Sequence, residues 1–447
     1  MISFDTTPLI SNQDYVVFLS DTALEMGLDV EIQNELQHGV PQSNIIIRLN
    51  PVKPGEKTFL LQSHLDTTDP GAYSLWKKNQ SNPFDAVIDE GFIYGLGAAE
   101  VKIDFLCKLF AMYNIKKKTN TNEFKTLSPI LVGTFGEESG MQGALKIIRK
   151  NKLNALYALI SAPSDLQIIN AAKGFVTVEI RIPFSKIEMD FKQKHSELSD
   201  ASSYSKVFSG KATHSSTPHL GENAASKLFE YLGGMDTNQI ILDIDAGSRF
   251  NIVPHQAIVE LGPLPEKNKN LKTALSKMNQ IYETIRLIEL DMKNYPDLEF
   301  TPHHSTYSIG VVRMYEDYIL IGGSCRIVPL VGSDVYEKWI KMFQQSCQDI
   351  GAEFHLQDYK KPFRTDTNSI LIKTIQSELK KININTNCRT MASANESSFF
   401  SRLGIECVCI GVGEREGNIH TPFEKVNIQQ AETAVIFYDS MIERICS

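Results

Sequence analysis

Short apolar runs alternating with stretches of helical periodicity fill the first third of the chain, and no other feature narrows the fold as much. Residues 45–49, 58–62, 129–135 and 155–161 read as buried strands, and residues 101–117 and 141–150 between them read as helices. Alternation of this kind predicts an α/β domain built on a mostly parallel sheet. Sites in such domains form in the loops beyond the carboxyl ends of the strands.

The pattern changes after Lys173. Residues 175–182 alternate with period two, a polar stretch at 185–211 interrupts, and a helix follows at 221–231. Two further alternating segments, 252–261 and 318–328, bracket a charged helical insert at 268–293, and 333–349 is another amphipathic helix. These segments predict an antiparallel sheet with helices on one face, and the insert reads as a surface helix with a solvated charged face. From about Asp358 the α/β signal returns, with helices at 368–381 and 428–446 and a buried strand at 406–411. The simplest organisation is one α/β domain, residues 1–173 and 359–447, with a second domain, residues 174–358, inserted into it.

Composition limits the function classes. The chain has 447 residues, 42% hydrophobic and 22% charged, which is the balance of a folded globular protein of two or three domains. Its 53 acidic and 45 basic side chains leave a net charge of -8, which argues against nucleic acid and anionic membranes as partners. Residues 1–26 lack a basic region followed by an apolar run, and no stretch approaches the length of a membrane span. Seven scattered cysteines without a C-x-x-C pair fit reduced thiols, so the expected compartment is the cytoplasm.

Four segments carry chemistry. Ser63-His64-Leu65-Asp66 ends a strand and sets an imidazole and a carboxylate two residues apart, on one side of an extended segment. One can ligate a metal while the other orients the ring; equally, the pair does no more than end a strand. Gly136-Glu137-Glu138-Ser139-Gly140 places adjacent carboxylates at a strand end, where they repel unless a cation or a shared proton intervenes. Glutamates in a first helical turn would give the same pattern without a function. The turn Tyr94-Gly95-Leu96-Gly97-Ala98-Ala99-Glu100 lacks the third glycine of a dinucleotide fingerprint, which rules out nucleotide binding there. The fourth segment, Asn418-Ile419-His420-Thr421-Pro422, supplies a second histidine.

Taken in order, His64-Leu65-Asp66, Trp76 with Asn82-Pro83-Phe84, residues 95–102, Glu137-Glu138 and His420 resemble the family of acetylornithine deacetylase, succinyl-diaminopimelate desuccinylase, aminoacylase and carboxypeptidase G. Thr213-His214-Ser215-Ser216-Thr217-Pro218 and Asn251-Ile252-Val253-Pro254 look like the motifs of that family's lid. The resemblance implies an α/β catalytic domain, an inserted α+β lid domain that forms a homodimer, and a two-zinc site. In it His64 would ligate one zinc, Glu138 and His420 the other, and Glu100 would stand where the family has a bridging aspartate. Asp66 would orient His64, and Glu137 would carry a proton from the attacking water to the leaving amine. His214 would reach a neighbouring subunit's site, Asn251 would belong to the substrate-binding lid, and Arg326 would hold a substrate carboxylate. The acetylornithine deacetylase branch is the nearest in these segments, with an N-acyl amino acid as substrate; a dipeptidase or carboxypeptidase is the runner-up. Glu396, after the small-residue turn 391–395, is a candidate for reading a substrate amine, and Asn395 is equally a helix cap.

Two departures qualify the metal site. The family has a carboxylate just before the proline of Ser161-Ala162-Pro163, so the ligand that partners His64 is missing. Glu100 adds a methylene to the bridging position. The expectation is one tightly bound zinc with a second weak or absent, and with cobalt or manganese as substitutes. A degenerate homologue that binds a metabolite or protein without turnover is the alternative, and it rests on the same two residues.

Overall fold

A computed structural model of the chain describes residues 1–51, 55–118, 126–150, 153–197, 203–235, 239–263 and 272–447. The chain divides into two compact units. Unit 1 comprises Met1–Ala171, Phe363–Thr390 and Asn395–Ser447, and unit 2 comprises Ala172–Pro362 with Met391–Ala394.

Unit 1 is built on a nine-stranded sheet. Its centre is parallel: Thr58–His64 lies between Ser128–Thr134 and Ala155–Ile160, and Glu406–Cys409 runs parallel to Ala155–Ile160. The flanks are antiparallel, so the sheet is mixed rather than mostly parallel. Val40–Arg48 pairs antiparallel with Ser128–Thr134 and carries Asp29–Gln37 beside it as a hairpin. The hairpin follows from its two-residue turn, because His38 and Gly39 both adopt positive φ, at 51° and 82°. Every residue of Thr58–His64 is buried, as expected for a central strand covered on both faces. Helices Lys102–Lys118, Ile370–Lys381 and Ile428–Cys446 place Phe105, Leu109, Met112, Ile375, Leu379, Phe437 and Met441 in one apolar core with this sheet. Among the described residues no helix is long and apolar enough to cross a membrane.

Unit 2 contains a seven-stranded antiparallel sheet. Sequence reading finds Gly174–Pro183, Gln256–Pro263 and Tyr318–Ile327 but passes over Gln239–Ala246 and Thr306–Met314, which lie beside each other in the sheet. The polar stretch at 185–211 is also not a loop. It holds the helix Lys186–Glu197 and the edge strand Tyr204–Ser209, which pairs with Gln256–Pro263. A reciprocal cap starts that helix: Ser185 N donates to Glu188 Oε2 at 2.9 Å, and Glu188 N donates to Ser185 Oγ at 3.3 Å. The charged insert is the helix Ala274–Met292, capped by the Thr273 hydroxyl. It is more than a solvated surface helix, since Leu275, Met278, Ile281, Ile285 and Ile288 line up at helical spacing and are buried. Residues 268–271 of the insert lie outside the described residues.

Candidate metal and proton-transfer site

The site of unit 1 gathers where the central strands end. His64 closes the strand Thr58–His64, and the adjoining strand Ser128–Thr134 runs out into Phe135 and Gly136. Gly136 turns the chain with φ of 72°, a region that favours glycine, and a Cβ there would press on the Gln37 side chain at 3.0 Å. That turn brings the Glu137 and Glu138 amides over Asp66. The Asp66 carboxylate accepts from Glu137 N at 3.0 Å and from Glu138 N at 2.9 Å. The His64 ring is held by Asp66: its Nδ1 lies 3.0 Å from the Asp66 carbonyl oxygen and 3.5 Å from Asp66 Oδ1. Nε2 is thereby the nitrogen left to face the site. Asp66 thus holds the two-glutamate turn as well as the histidine, a role the motif alone does not reveal.

Glu100 precedes the helix Lys102–Lys118, and His420 sits in the loop after Glu406–Cys409 with a positive φ of 58°. A non-glycine residue held in that region marks a backbone over-determined by its surroundings. Glu100, Glu138 and His420 each offer a ligand atom, and these atoms all lie within 4.8 Å of one another. His420 Nε2 contacts Glu100 Oε2 directly and lies 3.6 Å from Glu138 Oε1. Two carboxylates and one imidazole are a donor set that fits a zinc-type ion with room for water. Among the described residues no second group of three such ligand atoms forms around His64.

Burial and crowding of charge set the electrostatics. Burial lowers the His420 pKa, but the Glu100 and Glu138 carboxylates outweigh it and carry the imidazole up to about 10. Burial raises the Glu100 carboxyl, yet its bond to His420 brings it below the ordinary range. Glu138 is raised, chiefly by burial. Glu137 is pushed up to about 8 by burial and by the neighbouring Glu138 carboxylate. Burial opposes protonation of His64, but Asp66, Glu137 and Glu100 raise its pKa well above the usual value.

Glu396 lies in the floor of the site. Its Oε2 accepts from Thr134 Oγ1 at 2.9 Å and from Gln62 Nε2, while Oε1 is buried without a partner. Burial lifts its carboxyl to about 7. The Asn395 side chain accepts from Ser397 N at 2.9 Å, while the N-cap position of Ser397–Phe400 is occupied by Glu396. Ala162 is buried, and the nearest carboxylate along the chain, Asp165, is engaged elsewhere. The Asp165 carboxylate accepts from Gln430 Nε2, beside a cavity of about 430 Å³ lined by Gln167, Asn427 and Thr433.

Behind Ala162 lies a polar network that sequence reading misses. Lys108 Nζ is 2.9 Å from Asp104 Oδ2 and donates to Ser161 Oγ at 2.6 Å and to the Gln62 carbonyl at 2.8 Å. Tyr438 Oη donates to Asp104 Oδ1 at 2.7 Å. The signal was an Asp and a Lys at i and i+4 on the buried side of the helix Lys102–Lys118.

In unit 2, His214, Asn251 and Arg326 come together. The His214 Nδ1 lies 2.6 Å from Ser216 Oγ, and its Nε2 lies 3.5 Å from Arg326 Nη2. Arg326 donates to Ser215 Oγ at 3.1 Å and stacks 4.4 Å over the Phe175 ring, while Ser215 N donates to the Asn251 carbonyl at 2.8 Å. An arginine this buried, with its plane fixed on an aromatic face, is preorganised for one recognition geometry.

Comparison with known proteins finds relatives in sequence and in fold. A probable succinyl-diaminopimelate desuccinylase of Staphylococcus epidermidis is 22% identical over 344 residues, covering 73% of this chain and 75% of the relative. The aminoacylhistidine dipeptidase of Vibrio alginolyticus has a similar fold, with a TM-score of 0.63, 16% identity and coverage of 98% of this chain and 94% of that one. So does an M20 family metallo-carboxypeptidase of Sulfolobus solfataricus, with a TM-score of 0.59, 19% identity and coverage of 96% and 93%. The model of peptidase family M20/M25/M40 matches residues 60–444, and this chain is a member of that family of metal-dependent hydrolases.

Proposed function

We propose that the chain is an amidohydrolase that uses one tightly held zinc ion to release an amino acid from an N-acyl amino acid, in the manner of acetylornithine deacetylase. The observation that carries this reading is the convergence of Glu100, Glu138 and His420 within 4.8 Å, with Glu137 next in sequence to one of them. A zinc ion held by these three residues supplies Lewis-acid chemistry to the amide.

The remaining work falls to the chain. Glu137, poised near pH 8, accepts a proton at its carboxylate from the attacking water and returns it to the departing amine nitrogen. Asp66 fixes the two-glutamate turn through its bonds to both backbone amides, so the Glu137 carboxylate keeps its place while it exchanges that proton. Glu396 reads a substrate amine from the floor of the site. In unit 2, Arg326 binds a substrate carboxylate, Asn251 shapes the same lid segment, and His214 serves a neighbouring subunit in a homodimer in the cytoplasm. His64 marks a second metal position that is weak, because Ala162 offers no carboxylate to it.

Ala162 favours one alternative: a homologue that binds a metabolite or protein without turnover. The similar dipeptidase and carboxypeptidase folds support peptide-bond cleavage as the variant chemistry. One experiment separates these readings. Metal content per chain is measured on zinc-saturated, desalted protein, beside ninhydrin detection of amine from N-acyl amino acids and dipeptides. One zinc with amine release from N-acyl amino acids supports the proposal. Release only from dipeptides moves the chain to the peptidase variant, and retained metal without any release leaves the binding homologue.

A further inference from the structure

We infer that Glu424 is a positioning residue that clamps the two chain segments bearing Glu100 and His420 and thereby sets the geometry of the metal cluster. The inference rests on the metal reading of that cluster. Glu424 is four residues beyond His420 and is 1% exposed. Its carboxylate Oε1 accepts from the backbone amides of Ala99, at 3.0 Å, and of Glu100, at 3.1 Å. Its own carbonyl accepts from Gly95 N at 3.1 Å, and its amide donates to the Thr421 carbonyl at 3.1 Å. One residue therefore holds both ends of the turn 95–100 and the loop that carries His420.

The segments clamped in this way are 320 residues apart in sequence, and two adjoining contacts fix their register. Lys425–Asn427 pairs antiparallel with Phe92–Tyr94, immediately before the turn. Gly413, at the head of the His420 loop, packs so closely on Ala99 that a Cβ there would approach the Ala99 Cβ to 2.7 Å. Strand pairing and packing place the segments side by side, and the Glu424 carboxylate goes further by bonding the amide of the ligand residue Glu100 itself. That contact matters more here because Glu100 is long. A glutamate reaches farther than an aspartate by one C–C bond, so its backbone must be held back for the carboxylate oxygens to meet His420 and Glu138. Two N–H groups bonded to one buried oxygen supply that restraint, as outer partners of metal ligands do.

The test compares Glu424→Met, which removes the acceptor, with Glu424→Gln, which keeps an oxygen of the same reach, and Glu424→Asp, which withdraws it by one methylene. Zinc affinity is measured by competition with a chromophoric chelator, and the visible spectrum of the cobalt-loaded protein reports ligand geometry. Ile442→Ala, a cavity in the helix Ile428–Cys446 far along the chain from the cluster, serves as a control for simple loss of stability. The expected result is a loss of affinity of about 10- to 100-fold with an altered cobalt spectrum in Glu424→Met, a smaller loss in Glu424→Asp, and near-native values in Glu424→Gln. If Glu424→Met does not fold, the Asp and Gln pair gives the same ordering. Native affinity and spectrum in Glu424→Asp, or equal losses in Glu424→Met and Ile442→Ala, overturn the clamp. Failure of the native protein to take up zinc or cobalt overturns the metal reading first, and the clamp with it.

Discussion

His420 Nε2 lies 3.6 Å from Glu138 Oε1 while it contacts Glu100 Oε2 directly, so one imidazole nitrogen is shared between two carboxylates. A nitrogen in that position carries a proton in the metal-free protein, because its pKa stands at about 10. A metal ion takes the same nitrogen only after the proton leaves. Zinc uptake at pH 7 is therefore expected to release about one proton from His420, and affinity should rise about tenfold per pH unit until pH approaches that pKa. Calorimetric titration in two buffers of different ionisation enthalpy measures the proton count. Uptake without proton release would remove His420 from the ligand set.

Glu137 differs from Glu138 in having no hydrogen-bonded imidazole, and burial beside that neighbour pushes its carboxyl up to about 8. A general base tuned near neutrality is suited to moving a proton both ways. Glu137→Gln is expected to bind zinc as the native protein does while turnover falls by about 100-fold or more. Equal kcat in the variant, measured on whichever substrate the amine-release panel identifies, excludes Glu137 from proton transfer.

Much of the fold could be read from the sequence because buried parallel strands and amphipathic helices carry their own periodicity. In Thr58–His64 the consecutive Phe59, Leu60 and Leu61 put apolar side chains on both faces, and Ile428–Cys446 shows its stripe without help from its surroundings. The strands of unit 2 were harder. Gln239–Ala246 mixes Asp243 and Asp245 into an apolar run, and Tyr204–Ser209 is an exposed edge strand with no hydrophobic alternation to announce it. In the site, His64, Glu100, Glu137, Glu138 and His420 could be named because their residue types are costly at strand ends. Glu424 and Lys108 could not, since each acts through a partner that only the folded chain supplies: the Glu100 amide for one, and Ser161 with the Gln62 carbonyl for the other.

The Asp104–Lys108 pair is fully buried, and burial lowers the lysine pKa even though Asp104 opposes the shift. Removing one partner strands the other charge in a place without water. Lys108→Met is expected to destabilise the protein by about 3–5 kcal/mol in urea unfolding, far more than the pair's net contribution to stability. A change below about 1 kcal/mol would show that Asp104 takes up a proton or that water enters behind Ser161.

Ala162 is the residue on which the number of metal ions turns. It is buried and follows Ser161, whose hydroxyl is already committed to Asp104 and Lys108. His64 lacks an acidic partner there, although its ring is correctly held through Nδ1. Ala162→Glu supplies a carboxylate at the position where the resemblance places one, at the cost of fitting four more heavy atoms beside close-packed neighbours, about 1–3 kcal/mol. If the alanine is all that weakens the His64 position, the variant should hold two zinc ions per chain where the native protein holds one, by mass spectrometry of desalted protein. The added zinc should also disappear in the double variant Ala162→Glu, His64→Ala. A stoichiometry unchanged from the native protein would mean that the longer Glu100 side chain, rather than Ala162, closes the second position.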